Sequence, residues 1–397
     1  MRGALSWPFL RLYVLTILYF SANSILNVII PLKGESLGAT NTTIGIIMGA
    51  YLFTTMLFRP WAGQMIHKYG AIKVLRTILA INGFALIIYT LSGLEGYFVA
   101  RILQGVCTAF FSMTLQLGII DALPDKDRSQ GISLYSLCAS IPGIIGPLLA
   151  IGIWQTGDMN VFTAGMFGIA ILTGIVGYSA KMDKKGAEPN SSPSGQHTTM
   201  LQSFSQLVKN PHLFKCSMLM LMASLVFGAV TTFIPLYAPQ IEGGHAAIYL
   251  MIQAGTVVVA RFVLRKKIPS DGKWHSTFIM SMMLIVAVAA QSVSFSAMGG
   301  AVFFYVGALL MGIAQAVLYP TLTTYLTFVL PQMNRNVLVG LFIAMADLGV
   351  SLGGVIMGPV ADLSSYSFMY MICAILGVLM ILFAYERNKV VGGLKDI

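Results

Sequence analysis

The sequence predicts an all-α membrane protein with twelve transmembrane helices, and three observations support this class. The 397 residues are 57% hydrophobic and only 10% charged, whereas a soluble domain carries about 25% charge. Apolar runs of roughly 20 residues recur along the chain, each long enough to cross a hydrocarbon core of about 30 Å. The runs are continuous rather than alternating, which indicates helices that satisfy their own backbone hydrogen bonds, not a barrel.

Length and flanking charge place the twelve predicted spans in order along the chain. They cover residues 9–31, 42–65, 72–91, 96–122, 131–153, 160–180, 212–238, 246–265, 275–296, 299–329, 336–360 and 366–386.

One long polar segment divides these spans six and six. It runs from Lys181 to Asn210, and its Pro, Gly and Ser content with its charge is typical of a linker. We therefore expect an N-terminal six-helix bundle (1–180), a cytoplasmic linker (181–211) with an amphipathic stretch at Leu201–Val208, and a C-terminal six-helix bundle (212–397). Such an arrangement predicts two pseudo-symmetric bundles.

The distribution of the net charge of +10 predicts orientation rather than nucleic-acid binding. With the N-terminus inside, external loops carry a single basic residue, Lys33, and Arg101 lies within a span. The other 22 of the 24 Lys and Arg fall in cytoplasmic loops or at cytoplasmic span ends. This obeys the positive-inside rule. The expected location is a bacterial cytoplasmic membrane, with both termini cytoplasmic, the lipid bilayer as partner, no nucleic acid and a monomeric state.

No chemistry of an enzyme or a metalloprotein is visible. The four cysteines lie in or beside predicted spans without CxxC spacing, and the five histidines are scattered without ligand spacing. There is no P-loop to bind ATP and no Ser/His/Asp constellation among the deep residues. We expect no cofactor, no metal site and no catalytic residue.

A polar stripe runs down the fourth span. Its members fall within roughly 120° of one another at 100° per residue: Arg101, Gln104, Thr108, Ser112 and Gln116. A guanidinium in hydrocarbon costs several kcal/mol unless it faces protein or water. The stripe therefore predicts one wall of a wet central cavity, where Arg101 holds a substrate carboxylate or modulates a proton site. A second interpretation is that Arg101 braces helices through backbone carbonyls and polar groups of the first span.

The two halves repeat part of their sequence. "LPDKDR" at 123–128 recurs as "LPQMNR" at 330–335, an offset of 207 residues (330 − 123). This offset aligns Thr108 with Gln315 and Ser112 with Tyr319. A matching polar face on the tenth span is thus predicted, and repeats of this kind build transport sites at the midplane.

Asp347 is the second deep charge. It lies 12 residues beyond Arg335, hence about 18 Å into the eleventh span. A buried carboxyl suits proton transfer, and a substrate amine would compete for it. The alternative is a neutral Asp packed among glycines. Asn23 and Asn27, four residues apart on the first span, either line the cavity or join helices by amide hydrogen bonds.

Small residues in the fifth and eleventh spans are predicted to pack helices where the halves slide, rather than to bind substrate. The residues are Gly146, Pro147, Gly349, Gly353, Gly354 and Gly358.

Charged residues near the cytoplasmic ends predict a gate. Arg59, Lys68, Lys73 and Arg76 are the basic members, and Asp121, Asp125 and Arg128 lie near enough in the predicted topology to pair with them. Plain positive-inside topology explains the same basic residues.

Several motifs resemble the major facilitator superfamily over nearly the whole chain. "GQMIHKYGAIKVL", which contains Gly63, Lys68 and Gly70, is similar to the loop motif between spans two and three, with His67 where an aspartate is usual. "RILQGVCTA" from Arg101 matches the fourth-span motif, whose arginine is linked to proton transfer. "GPLLAIG" from Gly146 resembles the motif of proton-coupled exporters, with Pro142 in place of a glycine.

Longer runs resemble the exporters of opine-type metallophores within that superfamily: "MRGALSWPFLRLY", "GVCTAFFSMTLQLGIIDALP", "VLYPTLTTYLTFVLP" and "FIAMADLGVSLGG". The resemblance implies proton-coupled export of a metal-free, staphylopine-like metallophore, a small zwitterion with several carboxylates, amines and an imidazole. Alternatives from the same fold are a multidrug/proton antiporter and an importer. A membrane sensor or assembly factor is a further alternative of another class.

Overall fold

The computed structural model describes residues 3–180, 207–264, 267–269, 271–331 and 335–385. Within these ranges twelve helices are long and apolar enough to cross a membrane, which confirms the predicted fold class. They are α1 Trp7–Ser36, α2 Asn41–Tyr69, α3 Ala71–Leu91, α4 Leu94–Ala122, α5 Asp125–Gln155, α6 Met159–Tyr178, α7 Pro211–Tyr237, α8 Ala246–Leu264, α9 Ser276–Gly299, α10 Ala301–Val329, α11 Arg335–Leu363 and α12 Tyr366–Ala384.

Helices α2 and α5 extend beyond their predicted spans, by four residues at the end of α2 and by six at the start of α5. The expected basic turn after the second span is mostly helix, since α2 continues to Tyr69. The turn itself is Gly70, whose φ of +85° is a conformation that suits only glycine well. The fifth helix begins at Asp125 rather than at residue 131. Hydropathy underestimates both helices because it detects the part in hydrocarbon, while the backbone stays helical into the polar region.

The connections are short enough to force the helices to alternate in direction. Gly70 alone joins α2 to α3, and Gly300 alone joins α9 to α10. We call the side where α1 begins and α12 ends the terminal face, and the opposite side the distal face. The sequence predicts that the terminal face is cytoplasmic. Most of the predicted linker, including residues 201–206 of its amphipathic stretch, lies outside the described residues, and Asn210 caps the start of α7 by accepting from the backbone of His212 and Leu213.

Helices α1–α6 and α7–α12 meet mainly through α2 with α11, α5 with α8, and α1 with α7. Helix α11 is held between α7 and α2 by glycines on two of its faces. A Cβ on Gly353 would lie 2.3 Å from the carbonyl oxygen of Leu225 on α7, and one on Gly354 would lie 2.8 Å from that of Gly45 on α2. Only residues without side chains let backbones approach this closely.

The internal repeat is visible in the packing. Gly105 on α4 abuts the backbone of Tyr51 and the side chain of Thr54 on α2, while Gly312 on α10 abuts Gln253 and Thr256 on α8. The two glycines keep the offset of 207 residues, whereas their partners differ by 202 (253 − 51 and 256 − 54). Helix α8 is therefore the counterpart of α2, with a register of 202 residues.

The halves are joined toward the distal face. The carboxylate of Asp362 on α11 accepts hydrogen bonds from the backbone N–H of Asn41 (2.8 Å) and Thr42 (2.9 Å) and from the Thr42 hydroxyl (2.6 Å), capping the start of α2. Tyr366 donates to Asn41 Oδ1 (2.6 Å), and further in Ser351 donates to the Gly49 carbonyl (2.8 Å).

Candidate functional site between the two halves

An ion pair joins α2 to α11 on the terminal side of these distal contacts. Arg59 Nε donates to Asp347 Oδ2 at 2.7 Å, and the two side chains are 29% and 14% exposed. Asp347 lies about 18 Å along α11 from its first residue, near the middle of the helix. Partly desolvated partners at this distance attract strongly, and removing either one leaves the other charge poorly compensated.

Tyrosines from both halves approach the ion pair. Tyr319 on α10 interacts electrostatically with Arg59, Asp347 and Arg261. Tyr135 on α5 interacts with Arg59 and with the side chains of Ser112 and Gln116 on α4. These interactions relate polar groups of both halves to the ion pair, and a site of this kind can bind a small molecule that carries both positive and negative groups.

Arg101 lies inside the N-terminal half rather than on the surface of this site. Its side chain is 0% exposed. The guanidinium donates to Asn23 Oδ1 (2.7 Å) and Asn27 Oδ1 (2.9 Å) of α1, and it lies 5.2 Å from the centre of the Tyr51 ring. Amide dipoles and an aromatic face thus compensate the charge. In this conformation Arg101 braces α1 against α4.

A second junction sits further along α4. The Thr108 hydroxyl is 2.9 Å from the hydroxyls of both Tyr19 and Tyr51, and Tyr89 donates to Gln104 Oε1 at 3.0 Å. Tyr51 also interacts electrostatically with Arg101, Asp347 and Arg59. It therefore connects the buried arginine to the ion pair between the halves.

The α4 stripe differs from the expected wet wall over most of its length. Gln104, Thr108 and Ser112 are 1%, 5% and 8% exposed, while Gln116 is exposed. The buried members bind one another and the tyrosines of neighbouring helices, which seals them from water. Only the end of the stripe nearer the terminal face opens to the surface.

On α10 the two predicted residues have different partners. Gln315 Oε1 accepts from Gln253 Nε2 of α8 at 3.2 Å, so this amide pair joins two helices of one half. Tyr319 instead faces the charges of both halves. The Tyr319 ring lies 5.8 Å from the Phe342 ring of α11, the helix that packs on α2 of the other half.

The predicted gate residues whose side chains the structure describes have several different contacts. Lys68 is exposed and lies 5.1 Å from the centre of the Tyr69 ring. Arg128 Nε donates to the Ile120 carbonyl at 2.7 Å, and Gly63 has open space where a Cβ would be. The side chains of His67 and Asp121 are outside the described part of the structure.

The glycine of the fifth-helix motif packs inside the N-terminal half. A Cβ on Gly146 would lie 2.2 Å from the Ser24 hydroxyl of α1. Ser24 in turn donates to the Pro142 carbonyl at 2.7 Å, and Pro147 follows within the same helix. This close contact fixes α1 against α5, one of the helices that meets the other half.

Sequence reasoning named Arg59 as a gate residue and Asp347 as a proton or amine site, but it did not connect them. It also missed Arg261, which was counted among the cytoplasmic basic residues. Arg59 is not at a span end, because α2 continues ten residues beyond it. No group of three or more His, Cys, Asp or Glu side chains in the described ranges is placed to bind a metal ion.

The chain belongs to the Major Facilitator Superfamily, whose sequence pattern matches residues 12–290. It is thus a multi-pass membrane transporter and not an enzyme. Over 388 residues it is 53% identical to the Staphylopine export protein of Staphylococcus aureus strain Mu50, and the match covers 98% of both chains.

Solved structures share the fold at low sequence identity. A mutant of the nucleoside transporter NupG superposes with a TM-score of 0.74 at 15% identity, covering 94% of this chain and 98% of that one. A bacterial homologue of the human lysosomal transporter Spinster, inward-facing and unoccupied, gives 0.70 at 13% identity, with 97% and 95% coverage.

Proposed function

We propose that this transporter exports a metal-free, staphylopine-like metallophore in exchange for protons. The observation that carries this proposal is the 53% identity to the Staphylopine export protein along almost the whole of both chains. At this identity and coverage the same twelve helices are expected in both proteins, so a shared substrate class is the simplest expectation. The protein acts as a monomer of two six-helix bundles, 1–180 and 212–397, joined by the linker 181–211.

The orientation follows from the positive-inside rule, with the terminal face and both termini in the cytoplasm. The hydrogen bonds between Asp362 and Thr42 and between Ser351 and Gly49 then close the outer side. The polar site, with Gln116 exposed toward the terminal face, is open to the cytoplasm. This conformation is the one that accepts substrate for export.

The Arg59–Asp347 ion pair is the proposed coupling element. A metallophore carries amines and carboxylates, so its ammonium group competes with Arg59 for Asp347. Breaking the pair removes an attraction between α2 and α11 and favours their separation at the outer side. There a proton replaces the amine on Asp347 and releases the substrate. After the halves return, the proton leaves to the cytoplasm and the ion pair re-forms. One group thus binds substrate or proton in turn, which couples them.

Arg101 has an indirect role in this scheme, because it does not contact the substrate. It holds α1 and α4 together through Asn23 and Asn27. Tyr51 interacts electrostatically with Arg101 and with both members of the ion pair. Its role is to position the helices that form the site and to keep the local potential positive.

The test uses purified protein in proteoliposomes. Uptake of metal-free staphylopine is measured with and without a proton gradient in the antiport direction, with ethidium as the comparison substrate. Stimulated uptake of staphylopine alone supports the proposal. Movement of ethidium without staphylopine would make the protein a multidrug antiporter, and staphylopine uptake driven only by the opposite gradient would make it an importer. The positive charges of Arg59 and Arg261 disfavour the binding of lipophilic cations such as ethidium.

A further inference from the structure

The internal repeat places two arginines at equivalent positions. Helix α8 is the counterpart of α2 at an offset of 202 residues, which the packing of Gly105 on Tyr51 and of Gly312 on Gln253 establishes. The same offset aligns Arg59 with Arg261 (59 + 202). Each arginine belongs to the helix that meets the other half, since α2 packs on α11 and α8 packs on α5.

The side of α8 that carries Arg261 faces the other half. Ala254 on α8 lies against Gly143 of α5, where an added Cβ would be 3.6 Å from the Ala254 methyl. Arg261 follows seven residues later, so it falls within about 20° of the same face and about 10 Å closer to the terminal face. Its interaction with Tyr319 connects it to the surroundings of the Arg59–Asp347 pair.

The two arginines differ in their counter-ions. Arg59 is paired with Asp347 of α11. The equivalent of Asp347 in the repeat is Ser140 on α5 (347 − 207), whose hydroxyl donates to the Ser136 carbonyl of its own helix. Within the described residues Arg261 has no salt bridge, and its buried Nε has no hydrogen-bond partner. Arg59 thus has a carboxylate partner from α11, whereas the equivalent position on α5 offers Arg261 a serine and no carboxylate.

We propose that Arg261 binds a carboxylate of the transported substrate, which takes the place that Asp347 occupies beside Arg59. A partly buried guanidinium without a counter-ion is costly to keep in the membrane, and a bidentate carboxylate is the group that its planar fork fits best. The substrate then bridges α8 and α11 of the C-terminal half, with an anionic group on Arg261 and an ammonium group on Asp347. This inference rests on the proposed function, since it concerns the same site.

A topological role is the competing explanation, because Arg261 lies three residues before the end of α8. A basic residue near a membrane face needs only its positive charge to orient a helix. A lysine supplies that charge, but it cannot replace the planar guanidinium that binds a carboxylate through two hydrogen bonds. The two explanations therefore differ in what they predict for Arg261→Lys.

The test measures binding of metal-free staphylopine to the full-length protein in detergent by titration calorimetry. Arg261→Gln is expected to weaken binding about 10- to 100-fold, as for loss of a charged hydrogen bond, and Arg261→Lys is expected to weaken it as well. Lys273→Gln, at an exposed basic residue of the α8–α9 connection, is the matched control with unchanged binding. Fully esterified staphylopine should bind the wild type more weakly, and Arg261→Gln should lose less affinity on esterification than the wild type does.

A gain of charge keeps the proposal testable if Arg261→Gln does not fold. Ser140→Asp adds a carboxylate at the position equivalent to Asp347, where it is expected to pair with Arg261, so it should reduce staphylopine binding, while Ser140→Asn should leave it unchanged. If the folded wild type binds staphylopine and both Arg261→Gln and Ser140→Asp bind it within twofold of the wild type, the assignment of Arg261 is overturned while the proposed function stands. Absence of staphylopine binding by the folded wild type would instead overturn the proposed function, and this assignment with it.

Discussion

The contact between Gly45 and Gly354 predicts that one methyl group will open the distal face. A Cβ on Gly45 would lie 2.1 Å from the carbonyl oxygen of Gly354 and 2.7 Å from its carbon. Ordinary carbon–oxygen contacts begin at about 3.3 Å, so α2 and α11 must separate by roughly 1 Å. The obstacle is backbone, which cannot rotate away as a flexible side chain would.

The magnitude follows from the cost of overpacking, which is typically about 1–3 kcal/mol. The strain exists only while α2 and α11 are in contact. It therefore destabilises the distal-closed state without an equal effect on the open one. A difference of this size shifts the equilibrium by roughly 5- to 150-fold toward the distal-open state. The Ser351–Gly49 hydrogen bond weakens in the same movement, because it crosses the same interface.

The assay is single-molecule energy transfer between dyes on the distal connections, at Gly38 and Ser364. The native cysteines are first replaced in the labelled protein: Cys107, Cys138, Cys216 and Cys373. Gly45→Ala should increase the population with the longer distal distance. Gly340→Ala is the control on α11, since a Cβ there meets nothing within 4 Å. An unchanged distance distribution in Gly45→Ala would refute the reasoning that this contact closes the distal face.

Three further predictions follow from single contacts. Asp362→Ala removes the carboxylate that caps α2, which should weaken distal closure by about 0.5–2 kcal/mol. The same energy-transfer assay detects it, and an unshifted population would contradict it. Arg101→Lys keeps the charge but loses the guanidinium fork that binds the two amides of α1. It should lower the free energy of unfolding in detergent by about 1.5–3 kcal/mol, which appears as a midpoint several degrees lower. An unchanged midpoint would show that the fork is dispensable. Thr108→Val leaves the hydroxyls of Tyr19 and Tyr51 without this partner and should cost about 1–3 kcal/mol; Thr108→Ser, which keeps the hydroxyl, is the control, and equal stability of the two variants would contradict the role.

The twelve helices could be predicted from sequence because membrane insertion depends on the length and hydropathy of each segment by itself. The end of α2 and the start of α5 could not, since residues 66–69 and 125–130 are too polar to be recognised as membrane segments although both are helical. Helix continuation there depends on backbone hydrogen bonding and on the position of the next turn at Gly70.

The two residues of the ion pair could be singled out from the sequence, but their pairing could not be predicted. Arg59 and Asp347 are 288 residues apart, and nothing in a single sequence indicates that α2 and α11 bring them together. The stripe on α4 was correctly identified as one face, but hydropathy does not tell whether that face meets water or the tyrosines of neighbouring helices.

Arg261 was missed for a specific reason. The repeat was detected at the α4–α5 connection, where the offset is 207 residues, and this value carries Arg59 to Lys266. The correct register for α2 and α8 is 202, since the connections between the repeat elements differ in length. Only the packing of the equivalent glycines reveals it.

The most direct test of the coupling mechanism compares wild type with Asp347→Asn in two transport modes in proteoliposomes. Asparagine keeps the shape of the side chain but cannot exchange a proton. We predict that Asp347→Asn loses accumulation of staphylopine driven by a proton gradient. Exchange of labelled for unlabelled staphylopine without a gradient should persist but need a higher staphylopine concentration, because asparagine binds the ammonium group more weakly than aspartate does. Gradient-driven accumulation by Asp347→Asn at the wild-type level would contradict the assignment of coupling to the Arg59–Asp347 pair.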